Sequence, residues 1–450
     1  MTRRAIDLRP RFKMWSIVPI LHFVRSLPLS HAFAAAFSKL MSFFQTCTVV
    51  ALASISLPLL AEPEVVVSLS SVGRRIHQQN PDLAAARLRI QEAHGRANQS
   101  GRLSNPQIEA AFEGNRGFHE TKFELGFSQK FPLTDRLRLE REIAQIEIKS
   151  SEAEVLENER RLMGQACSGV VNILAERSRR QLLREQVVLA GELAELASQL
   201  VAKGEGSPVD ASQAKLEAAS LAMEIRQSDL VETSLIGELK PLLGIAPRQG
   251  LVVTGTLPEP ELPHRSVAIT SRPDLNVARL DVLATAAAVD LEKARRYDDV
   301  EGGIFLAADR TKDAPLGYDR EGIIGFQLKI PWPLWNRNEG AIQEANAKHE
   351  RKEIEVAALQ RTIGLEAEAA LAEMIESHRI IREIQTTLLP LAEEQVTLSE
   401  SGQRSGLGEI QDVFRAREKR LQLAFSRLEA IRAFHLARVR YENATGKSTI

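Results

Sequence analysis

The chain is poor in the residues that build compact mixed cores and disulfide frameworks. Only 5% of its 450 residues are aromatic and only two are cysteine, whereas 26% are charged, and long tracts are rich in Ala, Glu, Leu, Arg and Gln. That balance favours long helices over a compact mixed fold. Cys47 and Cys167 cannot make a disulfide framework, and their separation fits no metal motif. Cys167, alone on an expected helix, reads as a small buried apolar residue rather than a reactive thiol. Net charge is nearly absent as well, at a formal -1. Residues 1–61 hold seven basic residues and one acid, so the remainder carries 51 basic against 58 acidic residues, which leaves no nucleic-acid footprint. There is no G-x-S-x-G, no H-E-x-x-H and no P-loop, and the nine histidines are scattered. An enzyme, a cofactor and a resident metal are therefore not expected. Met374 and His378, one helical turn apart, come nearest to a soft-metal pair, but without further ligands packing is the simpler reading.

The N-terminal region reads as export. From Met41, "MSFFQTCTVVALASISLPLLAEPE" is uncharged through Ala61, is broken at Pro58 and precedes Glu62 and Glu64, as a cleavable signal would. A second apolar run and a basic stretch lie ahead of it, so residues 1–61 are expected to be leader, with translation starting at Met41; an uncleaved anchor is the alternative. After Ala61 no uncharged apolar run reaches transmembrane helix length. Any spanning part of the mature chain would have to be strands.

One plan then occurs twice. "NPDLAAARL" from Asn80 returns as "RPDLNVARL" from Arg272, each opening a helical segment. Each is followed by two stretches with strand character, 107–115 and 121–131 in the first copy, 300–309 and 321–330 in the second. Phe123, Leu125 and Phe127, and likewise Ile324, Phe326, Leu328 and Ile330, recur at every other position with polar or small residues between. About ten residues per strand suits a tilted crossing of a bilayer. The same alternation also suits a half-buried sheet in a soluble domain.

Each strand pair ends in a proline, Pro132 or Pro331, and long helices are expected over 134–202 and 336–401. A continuous helix of the first length would run on the order of 100 Å. Leucines at 189, 193, 196 and 200, and at 388, 391 and 398, suggest coiled-coil seams, and rods of this length must pack along partner helices, some from other chains. "GEGSPVD" and "GLGEIQD" share the pattern G-x-G-x-x-x-D: Gly204, Gly206 and Asp210, then Gly406, Gly408 and Asp412. The glycines permit a turn, and the aspartates fall in the first turn of return helices expected at 208–243 and 409–444. Repeat 1 thus spans 62–245 and repeat 2 spans 272–450, with a proline-rich linker at 246–271 between them. In "IPWPLWNRNEG", Pro331 and Pro333 stop both sheet pairing and early helix, and Asn336 with Glu339 suggests a capping box. Trp332 and Trp335 suit a membrane rim, or alternatively pack the joint.

This order of elements resembles the TolC-type outer-membrane factors, exit ducts of efflux and secretion systems, over residues 70 to 445. "PLWNRNEGAI" is most similar to members serving cation-exporting resistance-nodulation-division pumps of the cobalt-zinc-cadmium and copper-silver groups. The resemblance implies a mainly helical fold and a homotrimer in which four strands per chain build one twelve-stranded barrel, continued by an α-helical tunnel across the periplasm. It implies outer-membrane lipid, a periplasmic adaptor (membrane fusion) protein and an inner-membrane pump of the resistance-nodulation-division type as partners. The glycine turns would form the periplasmic tip where the adaptor docks, and Pro132, Pro331, Trp332, Pro333, Trp335 and Asn336 the joint between barrel and tunnel. An exit duct for organic molecules or secreted polypeptides, and a soluble helical scaffold, are the alternative readings.

Overall fold

The computed structural model describes residues 64–263, 272–313, 315–405 and 410–446. The expected leader with Met41 and Cys47, the glycines Gly406 and Gly408, and the end of the linker lie outside the described residues. The described chain runs β1 (Val65–Val67), α1 (Val72–Gln79), α2 (Pro81–Gln99), β2 (Gln107–Gly114), β3 (Thr121–Phe131), α3 (Arg136–Ala202) and α4 (Pro208–Leu242). It continues through β4 (Leu251–Val253), α5 (Pro273–Ala294), β5 (Val300–Asp313), β6 (Gly317–Lys329) and α6 (Glu339–Glu383). A π-helical turn (Ile384–Leu388) then leads into α7 (Leu389–Arg404) and α8 (Ile410–Thr445). β2, β3, β5 and β6 pair in that order, all antiparallel, and β1 pairs in parallel with β4.

The two copies open differently at equivalent positions. Asn80 is buried; its side-chain oxygen accepts from the Leu83 amide and its Nδ2 donates to the Leu242 carbonyl, both at 2.8 Å. One amide therefore caps α2 and ties it to the end of α4. Arg272, before α5, makes no such cap. It is buried against Glu366 of α6 at 2.7 Å and Asp274 at 2.9 Å. Burial works against its charge, and these two carboxylates more than restore it, so its pKa is raised.

Two apolar clusters anchor these junctions. Ile76, Leu83, Val170, Ile173, Leu239 and Leu243 gather between α1, α2, α3 and α4 with β1 and β4, and Val439 of α8 joins them. Phe434, fully buried, centres the second with Met374, Ala437 and Tyr441, between α6 and α8. Met374 is thus a packing residue whose thioether is enclosed. Cys167 is buried in the first cluster, and desolvation pushes its thiol up to about 11, the behaviour of an inert core residue.

Several expected boundaries are corrected. β5 and β6 run beyond 300–309 and 321–330 at their hairpin end, to Asp313 and from Gly317, because backbone pairing continues where the apolar alternation fades. α3 begins at Arg136 rather than 134, and the Thr134 hydroxyl instead donates to the Ala294 carbonyl at 3.1 Å. The second rod begins at Glu339, not 336, and the capping box is not formed. Asn336 accepts from the Asn338 amide at 3.0 Å, while Asn338, left-handed at φ 60°, precedes the helix and donates to the Glu292 carbonyl and carboxylate. The second rod is also not one α-helix ending at 401. Pro390 has no N–H to give and would crowd the carbonyl four residues earlier, and the chain widens into the π turn just before it, with Leu389 donating to the Ile384 carbonyl. Past that turn Ala392 is buried while Leu391 and Leu398 face outward, so the expected seam is not closed within one chain.

Candidate functional site

The four-stranded sheet is built inside out. Ile108, Phe112, Phe127, Ile304, Leu306, Ile324 and Phe326 occupy one face in cross-strand register and are exposed, Ile324 by 73% and Phe326 by 84%. Much of the opposite face, with Lys122, Glu124, Gly126, Ser128, Glu301, Phe305 and Ala307, is half-buried or buried. A soluble sheet would hide the greasy face; this one presents it to its surroundings, as a strand between lipid and water requires. The outer strands β2 and β6 each have one unpaired edge among the described residues. Such edges cannot stay open in hydrocarbon. No described helix is long and apolar enough to cross a membrane.

The polar face is charge-layered. Glu113, Lys122, Asp309 and Glu321 form one row across the four strands. Near the joint, Lys130, Glu301 and Lys329 form another, with Lys329 3.1 Å from Glu301.

At the joint, Pro132 is half-buried, and Pro331, Trp332, Trp335 and Asn336 are exposed around a half-buried Pro333. Trp332 is 74% and Trp335 93% exposed, so neither packs the joint within the chain. The joint is instead held by ions: Arg136 reaches Asp299 at 2.8 Å and Glu140 at 2.9 Å, and Arg295 bridges Glu292 and Glu140. Asn338 adds its bonds to Glu292, tying α5 to the start of the second rod.

At the far end of α3, Gly204 takes φ +76°, with its amide bonded to the Val201 carbonyl and that of Glu205 to the Leu200 carbonyl. This is a Schellman stop, which needs a residue at ease in the left-handed region. Gly206 is required by contact: a Cβ there would stand 2.9 Å from the Leu200 Cβ. Ser207 caps α4 by accepting from the Val209 amide, Pro208 opens the helix, and Asp210 lies exposed in its first turn. In the second copy Asp412 occupies the first turn of α8, 3.3 Å from Arg415.

One residue near the turns was not foreseen from sequence. Arg417 of α8 donates to Glu400 of α7 at 2.8 Å and to Glu192 of α3 at 3.4 Å. It thereby joins the α7–α8 hairpin to the α3–α4 hairpin. The Arg417 hydrogen bond holds the Glu400 carboxyl below its ordinary value. Such a clamp spans distant segments and has no local signature.

A family model described as Outer membrane efflux protein matches residues 72–229 and 265–446. The cobalt-zinc-cadmium resistance protein CzcC of Cupriavidus metallidurans is 24% identical over 382 residues, covering 82% of this chain and 84% of its own. CusC, solved in connection with transmembrane channel formation, aligns with a TM-score of 0.69 at 15% identity, over 84% of this chain and 92% of that one. The outer membrane protein VceC of Vibrio cholerae aligns with a TM-score of 0.68 at 20% identity, over 85% and 97%. At these identities the solved structures speak to the fold.

Proposed function

This chain is a member of the outer membrane efflux protein family, and from that premise we propose that it is the exit duct of a tripartite system exporting heavy-metal cations. It is an outer-membrane efflux channel, and its work is conduction rather than bond chemistry. The observation that carries the reading is the inside-out sheet with two open edges. Three copies, each giving four strands, close a twelve-stranded barrel whose polar faces line the lumen, and the rods continue it as a tunnel through the periplasm. Exposed Trp332 and Trp335 sit at the inner rim of the bilayer, where amphipathic rings favour the interface.

In this reading an inner-membrane pump of the resistance-nodulation-division type supplies the energy. A periplasmic adaptor engages the turns at Gly204, Gly206 and Asp210 and at Gly406, Gly408 and Asp412, and cargo then diffuses outward. Arg417 keeps the two hairpins of each protomer together at rest, and its release widens the tip. Support for metal cargo comes from the name of the CzcC relative and from the negative charge of Asp210 and Asp412 near the entrance, which favours cations.

The test is growth of a deletion strain against zinc, cobalt, cadmium, nickel, copper and silver. Sensitivity to a subset, restored by the intact gene, is the expected result. Unchanged tolerance to all six, with sensitivity to organic toxicants, would leave the duct and remove the metal cargo.

A further inference from the structure

On the outward face of the sheet the apolar rows end abruptly toward the hairpin tips. The last is Phe112, Phe123, Ala308 and Gly322 in cross-strand register. The next, about 7 Å further along the strands, is Gly114, Thr121, Arg310 and Arg320, and beyond it lie Lys312 and Tyr318. Strand alternation puts these three cations on the lipid side, while Asp309, Asp319 and Glu321 fall on the lumen side of the same hairpin. Arg310 and Arg320 are direct partners across β5 and β6. Like charges so placed repel, and neither has an ion-pair partner among the described side chains. Arg310 is nevertheless held in place: its guanidinium carbon stands 4.1 Å over the Tyr318 ring, whose hydroxyl lies 3.0 Å from Nδ1 of His119. Its buried Nε has no hydrogen-bond partner.

We propose that Arg310, Arg320 and Lys312 hold the phosphate of a lipid in the outer leaflet, with its acyl chains lying on the Leu306, Ile324 and Phe326 rows. The inference rests on the outer-membrane reading, which puts the hairpin tips outside. A phosphate between two guanidinium groups turns their repulsion into two charge-assisted contacts, and the planar fork of arginine suits phosphate geometry. The height is right as well, since the cations begin one row above the apolar band, where headgroups start. Among the described residues the lumen face shows no comparable run of unpaired cations, so the site belongs to the bilayer rather than to the cargo path.

The experiment uses the full chain in lipid nanodiscs, with native mass spectrometry reading bound lipid and single-channel recording reading conduction. The probes are bis-phosphorylated lipid A, the same lipid with both phosphates removed, and inorganic phosphate as competitor. Wild-type protein is expected to retain the phosphorylated lipid about tenfold better than the dephosphorylated one, and R310Q/R320Q to lose that preference while conducting normally. Equal retention of the two lipids by wild-type protein overturns the proposal without relying on any variant. So does an unchanged preference in R310Q/R320Q, or displacement of the lipid by equimolar inorganic phosphate. A chain that conducts but shows no lipid preference defeats only this inference, whereas one that never conducts defeats the channel reading beneath it.

Discussion

Arg417 and Glu192 stand 3.4 Å apart although 225 residues separate them in the chain, and through this contact the two helical hairpins of the protomer touch near their turns. Glu400 shares the same guanidinium at 2.8 Å. All three side chains are partly or largely exposed, so the contact is screened by salt and contributes little to overall stability. Its effect is local, on the spacing of the hairpins.

Replacing Arg417 by Ala is therefore expected to raise the resting conductance of single channels severalfold while leaving the thermal midpoint nearly unchanged. E192Q should give a smaller rise in the same direction. Resting currents identical to wild type in both variants would show that the hairpins are held together by other contacts.

The aspartates near the turns predict a charge effect. D210N combined with D412N is expected to lower the cation-over-anion permeability ratio, most clearly at low salt, where the Debye length is long. Reversal potentials in asymmetric salt measure this directly. A ratio that stays constant from low to high salt, and equal in both proteins, would remove these residues from the permeation field.

Asn80 predicts a stability effect of known sign. N80A removes both the cap on Leu83 and the bond to the Leu242 carbonyl, leaving a buried helix end unsatisfied. The expected loss is about 1–3 kcal/mol, read as a lower midpoint in denaturant. N80D retains an acceptor for the cap but sets a buried carboxylate oxygen against the Leu242 carbonyl, so at neutral pH it should lose at least as much as N80A.

His435 predicts a pH dependence. It is buried beside Phe434, and its Nε2 lies 2.8 Å from the Pro258 carbonyl. Burial is the main cause that lowers its pKa below the ordinary 6.5, against the opposing hydrogen bond to Pro258. As pH falls through that ordinary value the unfolded chain takes up a proton that the folded chain still refuses, so acid favours unfolding until the folded value is passed. The thermal midpoint should accordingly drop between about pH 7 and pH 5. H435Q, whose amide can still donate to Pro258, should flatten that part of the curve.

Much of the fold is legible in the sequence because its elements are long and their periods differ. The period-two stretches around Phe123 and Phe326, and the proline-free run after Thr134, each carry a strong local signal. Alternation alone did not say which face meets the outside; exposure of Ile324 and Phe326 decides that, and exposure is a property of the assembled sheet. The continuation of β5 past Asp309 was hidden because charged residues pair their backbones as well as apolar ones do. Asn336 looked like a cap because it stands three residues before Glu339, but the left-handed Asn338 supplies the entry to the helix. Pro390 was visible, though the wide turn before it depends on how the rod accommodates a missing donor. Arg417 was illegible, since its partners come from two other helices.

The π turn at Ile384–Leu388 makes the two rods mechanically unequal. Over the 67 residues of α3 the helix is continuous, so a load applied at its far end is transmitted along a nearly uniform beam. In the second rod the ladder changes its bonding pattern just before Pro390, and bending stiffness is lowest where hydrogen bonds are displaced. A force that pulls the turns apart would therefore be met unevenly. The α3–α4 hairpin would act as the stiff post, and the α7–α8 hairpin would yield at Ile384–Leu388.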